Sequence, residues 1–458
     1  MTITRNRSTI GKGALFAAAA LTAIQIASFG PASSAHAANA AVAVTVDGVA
    51  QSGWTVRNIE QTDFVPARLL AAAIGATVEW DPALRAVTLK QGQRSVQLTH
   101  LSYYASVNGQ RADIYPAPVI EKNTLWVPAA AVAKLFGASA DKDAATSELR
   151  ITPKLHPIAI GSKQVYVNVF GERAIEAQYE VANGFHEGLA IVKLDGKFGY
   201  INSLGKQAIP LQYDEAYDFA DGVALVVKDG TASYINAKGE SVLTPTGYDE
   251  LYDFSEGLAL VRKGDAFGYI DHAGKETIAP QYEDAFYFSE GLAAVQVEGR
   301  YGYIDRTGAT VIKPVYQSAS DFSAGLGLVQ AEGENGEGSF GFVNAKGEAA
   351  IAPVYSKAFS FNEGLAPVEA DGAFKYVNAK GETVLETSYY DVGNFHDGLA
   401  SFEEDGQYGY IDLKGKVVIP AQFDAAGNFD NGFAVVNVAT GPVVINAQGD
   451  ILGDAPAH

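Results

Sequence analysis

From Phe185 onward the hydrophobic and polar positions fall in one order, written again and again. A restart phenylalanine precedes two polar residues and a glycine, then a run of apolar residues, as in Phe254-Ser255-Glu256-Gly257-Leu258-Ala259-Leu260-Val261. After a turn comes Phe-Gly-Tyr-Ile-Asp. After a second turn comes Ile-x-Pro-x-Tyr, an acid and Ala, and the order begins again. The restarts are Phe185, Phe219, Phe254, Phe288, Phe322, Phe361, Phe395 and Phe429, about 34 to 35 residues apart but for one insert. A fixed period of this length means stacked supersecondary units, each burying its apolar face against its neighbours.

Within the unit 254–288 the pattern predicts strands over 258–262, 267–271 and 275–279, joined by tight glycine turns into a β-meander. Pro280 ends the third strand, because it cannot donate to a ladder. In the second strand Phe267 and Tyr269 point one way and Gly268 and Ile270 the other. Glycine there in most units predicts close approach of another backbone or ring. Asn202, Asn236, Asp271, Asp305, Asn344, Asn378 and Asp412 recur after this strand, each with Gly three residues on. Such short polar side chains bond to turn backbone. Three strands in about 34 residues favour an open, twisted array over a closed propeller, whose blades run to about four strands and 40 to 45 residues. The expectation is a mainly β chain with about eight three-stranded units over 156–458. The segment 156–182 reads as a degenerate opening unit, and the last unit lacks its Pro-x-Tyr strand.

The array resembles the WG-repeat family of bacterial β-repeat proteins. The Trp-Gly pair of that family stands here as Phe198-Gly199, Phe267-Gly268, Tyr301-Gly302, Phe340-Gly341 and Tyr408-Gly409, and degrades to Ala232-Ser233 and Phe374-Lys375. The resemblance implies an interaction module with no catalytic residues of its own.

The stretch 42–152 lacks the period and carries a weak duplication. Val46-Asp47-Gly48, Phe64-Val65-Pro66, an Ala-rich run to Gly75 and the strands 77–80 and 86–89 make one half. Val107-Asn108-Gly109, Trp126-Val127-Pro128, a run to Gly137 and Leu149-Arg150-Ile151 make the other. Each half reads as strand, short helix and strand pair, with Pro66 at a helix entrance and Gly75 just past its end. This small α+β domain resembles the family named for the N-terminal domain of copper amine oxidases. The match rests on 64–81, with Ile74 where the family has Leu. The domain is a stalk in those oxidases, apart from the copper site, so the resemblance implies no copper chemistry. Ser388-Tyr389-Tyr390-Asp391 has a faint similarity to the oxidase cofactor tyrosine motif but falls at a repeat position.

The opening residues predict an export leader over 1–37. Arg5, Arg7 and Lys12 precede an apolar run over 14–27, and cleavage is expected near Ala37 or Ala40. That run is short for a membrane anchor of roughly 20 residues, and no later segment is apolar enough to span. The leader holds three of the 33 basic residues and none of the 53 acids, so the rest of the chain carries a net of −23. Such a field repels nucleic acid and leaves polycations, cations and neutral glycans as partners. There is no cysteine, which excludes disulfides and thiol chemistry. The histidines, His36, His100, His156, His186, His272, His396 and His458, show no ligand spacing. No cofactor or metal is expected.

Acids precede the recurring Gly at Glu187, Asp221, Glu256, Glu290, Glu363 and Asp397. A glycosidase would need one carboxylate pair out of step with the repeat, whereas periodic acids point to turn bonding or Ca²⁺ contacts. The candidate ligand-binding aromatics are Tyr213, Tyr248, Tyr282, Tyr316, Tyr355 and Tyr389, with Phe423 at the same position. They form either an exposed ladder able to stack on sugars or protein side chains, or the core of the array. The insert over 331–338 lengthens one hairpin with an acidic, glycine-rich tip. The function expected is a secreted, non-catalytic binding protein of the bacterial cell envelope, with a protein or a cell-wall glycan as partner. An enzyme acting on envelope polysaccharide and a structural surface or matrix protein are the alternatives.

Overall fold

The computed structural model describes residues 42–143, 146–332 and 338–452. The expected leader and its cleavage sites lie outside the described residues, as does most of the acidic insert.

The N-terminal domain is built about its duplication. Strands Thr62–Pro66 and Thr124–Pro128 pair antiparallel with Val65 opposite Val127. Each runs into a short helix, Ala67–Ala73 or Ala129–Lys134. Ala67, Leu70, Ala71 and Ile74 share one helix face and are buried. Gly75 then takes φ +72°, a left-handed conformation that ends the helix. Val65, Leu70, Val87, Leu89, Val127 and Val132 form one core. Each such side chain contributes about 1.5–3 kcal/mol when fully buried. The strands Thr77–Asp81 and Ala86–Gln91 follow the first helix, as expected. They continue into Arg94–Thr99, Tyr104–Val107 and Gln110–Asp113, making a five-stranded antiparallel sheet. The final strand, Leu149–Pro153, runs parallel to Val44–Val46.

Nine small sheets follow, over 155–179, 181–213, 215–243, 250–282, 284–316, 318–355, 357–386, 399–423 and 425–452. None closes into a barrel. In the fourth, Leu258–Lys263, Ala266–Asp271 and Glu276–Tyr282 form the expected meander, except that the third strand does not end at Pro280 but runs on to Tyr282, since a proline in a bulged edge strand removes no ladder bond. A further strand, Glu250–Ser255, pairs on its other edge. Seven of the nine sheets gain this extra strand. It comes from the segment around the restart Phe and is only two residues long in some units, such as Asp284–Ala285. The first sheet has three strands because the stretch ahead of it, Leu149–Pro153, is held by the N-terminal domain through Val44–Val46 and Ala138–Lys142.

Leu258, Ala259, Leu260 and Val261 are all buried, although they alternate across their sheet. Leu258 and Leu260 pack toward the fifth sheet, and Ala259 and Val261 toward the third. A strand covered on both faces reads as an unbroken buried run, and this run recurs in the second to eighth sheets, whereas Val435 is exposed in the ninth. The outermost strand is an exposed edge carrying Pro210, Pro280, Pro314, Pro353 or Pro420, which blunts it against pairing with another chain.

The expected open array is where the structure differs. Among the described residues nine apolar clusters join the nine sheets, each to the next, and one of them joins the ninth to the first. In that cluster Ile158, Val165 and Val167 meet Phe433 and Leu452. Asn446 donates to the Val169 carbonyl at 3.3 Å, and the His156 and Phe433 rings lie 5.2 Å apart. The array closes as a propeller does. The extra strand supplies the fourth strand that the unit length concealed.

Candidate functional site

The aromatic residues of the repeat make the joints between units. Tyr269 is fully buried on the central strand of the fourth sheet. Its hydroxyl donates to the Phe286 carbonyl at 2.7 Å, and its ring meets Phe288 edge-on at 4.8 Å. Such aromatic pairs contribute about 0.5–1.5 kcal/mol beyond the area they bury. The same pair of contacts recurs at Tyr200 with Tyr217 and Phe219, and at Tyr410 with Gly427 and Phe429. Burial holds the Tyr269 hydroxyl far above its usual pKa, so it remains a donor. In the sixth sheet Phe342 keeps the ring contact, to Phe361 at 4.8 Å, but has no hydroxyl.

The periodic carboxylates are a second joint. Glu187, Asp221, Glu256, Glu290, Glu363 and Asp397 take φ of 49–54° ahead of their glycines. Each carboxylate accepts from the backbone of the next unit's equivalent turn. Glu187 takes the Gly222 N–H at 3.0 Å, Asp221 that of Gly257 at 2.7 Å, Glu290 that of Gly325 at 2.8 Å and Asp397 that of Gly432 at 2.5 Å. Glu256 accepts from both Glu290 and Gly291 and pairs with Arg306 at 2.7 Å. Ala324 stands at this position in the sixth sheet and Asn431 in the ninth. A second set, including Asp214, Asp249 and Glu283, accepts from the hairpin turn of the unit it enters. The turn-bonding role is thus visible, and it links neighbouring turns as well as closing single ones. Within single turns Asp271 accepts from Ala273 and Lys275 at 2.9 Å, as expected.

The six candidate ligand tyrosines do not make an exposed ladder. Tyr213, Tyr282 and Tyr355 are buried in the clusters between sheets. Tyr248, Tyr316 and Tyr389 are half-buried against the same kind of cluster. The physical reason is their register. Tyr213 stands opposite Phe198, Tyr282 opposite Phe267, and Tyr355 opposite Phe340, which places each pair in the same apolar cluster between sheets.

The glycine of the meander's second strand has the close neighbour that was expected. A Cβ on Gly268 would lie 2.5 Å from the Pro280 nitrogen and 2.6 Å from the Ile278 oxygen. The outer strand bulges over this glycine. Where Ser233 and Lys375 replace it, the outer strand is short, Ser241–Leu243 or Thr383–Glu386. Val165 in the first sheet instead points into the closure cluster.

The N-terminal domain sits on the turns of the first two sheets. Arg94 is the hub, with Nε 2.9 Å from the Glu172 carboxylate, Nη1 donating to the Leu135 carbonyl at 3.1 Å, and its guanidinium 3.6 Å above the Phe170 ring. Asp47 accepts a hydrogen bond from the Ser203 hydroxyl. Burial pushes the Asp47 carboxyl up to about 6, against the downward pull of that bond. Beside this interface a small cleft is lined by Thr152, Leu155, His156, Phe185, Asp430 and Asn431. Burial lowers His156 to about 4, so it is neutral there. Among the described residues no group of three or more His, Cys, Asp and Glu is placed to hold a metal ion. Nor is any helix long and apolar enough to cross a membrane.

A family model described as the WG containing repeat matches eight segments, 166–198, 198–231, 233–265, 267–301, 301–334, 340–372, 376–408 and 408–438. The chain belongs to the WG-repeat family. Each matched WG repeat spans parts of two sheets, which suits a unit whose joints reach forward into its neighbour. The copper amine oxidase N-terminal domain model matches residues 55–151. No curated protein matches the chain. Among solved structures it is similar to a eukaryotic initiation factor, with TM-score 0.46, 11% identity, and 66% of this chain and 95% of that chain covered. It is also similar to the dihydro-heme d1 dehydrogenase NirN in complex with DHE, with TM-score 0.37, 11% identity, and 65% and 75% covered. A third likeness is to Hsv2 of Kluyveromyces lactis, with TM-score 0.31, 10% identity, and 50% and 90% covered. At these scores the structural likenesses carry no argument about what WG repeats do here.

Proposed function

We propose that the chain is a non-catalytic binding protein, exported from a bacterial cell and working at its envelope. The observation that carries this reading is the engagement of the repeated side chains. The periodic carboxylates accept backbone N–H groups, and the periodic tyrosines pack between sheets. A hydrolase would need a carboxylate pair facing substrate. The repeats instead build a closed scaffold whose turns and outer strands face solvent, and scaffolds of this kind carry recognition on their surfaces. Export is supported by the leader pattern over 1–37. The net charge of −23 beyond it favours neutral glycans, or proteins with a basic face, over anionic polymers.

Incubating the chain from residue 38 with isolated bacterial cell walls, followed by sedimentation, tests this reading. Saturable cosedimentation without release of soluble sugar or peptide is expected. Steady turnover of wall polymer, abolished by one non-periodic substitution, would replace the binding protein with an enzyme.

A further inference from the structure

The N-terminal domain carries a pair of exposed rings at the end of the five-stranded sheet that points away from the propeller. The turn at Gln91–Arg94 touches the propeller, through Gly92 against Arg173 and Arg94 against Glu172. The other end of the same strands, at Thr99 and Tyr104, lies about 17 Å away at some 3.3 Å per residue. There the segments before and after the last hairpin run side by side. Ile114 donates to the Tyr103 carbonyl at 2.9 Å and Leu101 to the Pro118 carbonyl at 2.8 Å. This brings the rings of Tyr103 and Tyr115 together, 5.9 Å between centroids and within 16° of parallel. They are 54% and 70% exposed.

Two near-parallel rings left in water form an apolar surface with no covering partner among the described residues, and a surface of this kind marks a binding site. Hydroxyls rim it, and Tyr115 donates one to the Glu60 carboxylate at 3.3 Å. Glu60 and Asp113 stand by as acceptors, Asp113 already 3.6 Å from Arg111. Arg111 covers one face of the neighbouring Tyr104 ring at 3.1 Å, and that residue stays 45% exposed.

We propose that Tyr103 and Tyr115 are a stacking platform for a neutral β-linked pyranose polysaccharide. A pyranose with equatorial hydroxyls has a flat C–H face to lie on the rings and a rim of hydroxyl donors for the carboxylates. An anionic polymer would meet Glu60, Asp113 and the net negative charge of the whole protein. The proposal deepens the binding-protein reading by naming a site and a ligand class, and it rests on that reading for the source of the glycan.

The test is retention of the full chain on insoluble chitin and on cellulose, beside a soluble anionic probe, poly(glycerol phosphate). Retention on at least one neutral polymer is expected. The double variant Tyr103→Ala/Tyr115→Ala should lose at least about tenfold in affinity, the Tyr103→Phe/Tyr115→Phe variant should keep most of it, and Tyr390→Ala, equally exposed but on the propeller, should change nothing. Tyr115→Ala alone carries the test if the double variant fails to fold. No retention on either neutral polymer, retention indifferent to the tyrosines, or binding to the anionic probe alone would overturn the platform. Cell walls that retain wild type and double variant equally would overturn the platform and leave the binding-protein reading standing. Tyrosine-dependent retention on chitin with none on cell walls would do the reverse.

Discussion

The hydroxyl of Tyr269 reaches the carbonyl of Phe286, seventeen residues further along and in the next sheet, at 2.7 Å. This bond, with the Tyr269–Phe288 ring contact, turns a run of separate meanders into one body. Phenylalanine at 269 would remove this donor from the part-buried Phe286 carbonyl. A loss of about 1–2 kcal/mol is expected from an unmatched part-buried group, and alanine there should cost about 3–5 kcal/mol through the cavity as well. Urea denaturation of the two variants checks both figures and their order.

Gly268 and Gly257 separate two reasons for a glycine. Gly257 holds φ +87° with open space where a Cβ would go, whereas Gly268 has the outer strand against it. Gly257→Ala should cost about 1 kcal/mol for backbone strain. Gly268→Ala should cost about 1–3 kcal/mol or more, because backbone atoms must move. Equal losses in a melting experiment would contradict the assigned roles.

Arg94 joins the two domains by charge, to Glu172, and by a ring, Phe170, while the Leu135 carbonyl of its own domain fixes the guanidinium. Lysine keeps the charge but not the planar fork that serves all three. Arg94→Lys should weaken docking by about 2 kcal/mol, and calorimetry should then show the N-terminal domain melting ahead of the propeller. A single unchanged transition would mean that Arg94 is not the hub.

Asp47 and Glu256 give opposite pH dependence. Burial raises Asp47 to about 6, so the folded protein holds its proton more tightly than the unfolded chain. Its contribution to stability is full below about pH 4 and is lost as pH rises through 6. It amounts to at most about 3 kcal/mol. Burial would raise Glu256 too, but the Arg306 guanidinium and the Gly291 and Glu290 amides outweigh it and the net shift is downward. Its contribution is present above the ordinary carboxylate range and is lost as pH falls through the lowered value. Asp47→Asn should flatten the stability profile between pH 4 and 6 and leave the acid limb, where Glu256 acts, in place.

The local grammar of the repeat was legible because each rule acts over a few residues. Asp271 and Gly274 make their turn from residues three apart, and Gly268 needs only its own sheet. The joints were harder to read. Glu256 and Gly291 are thirty-five residues apart, and a carboxylate that bonds the next turn is spelled the same way as one that bonds its own. The fourth strand is as short as Asp284–Ala285, below any readable alternation. Closure depends on Asn446 meeting Val169 across 277 residues, and no period states whether a stack comes round on itself. Tyr103 lies between the halves of the duplicated domain and Tyr115 between the motifs of the second half, where no repeat draws attention to them, and their pairing depends on a hairpin register.

The closed ring is the claim on which the joints and the presented surface depend, and the cysteine-free chain allows it to be measured by spin labelling. Ser162 and Thr440 are exposed in equivalent hairpin turns of the first and ninth sheets, and Asp195 in that of the second. Labels at Ser162→Cys/Thr440→Cys should give a narrow distance comparable to that of Ser162→Cys/Asp195→Cys, as expected of ring neighbours. A Ser162–Thr440 distance several times longer, or spread beyond measurement, would mean that the array is open.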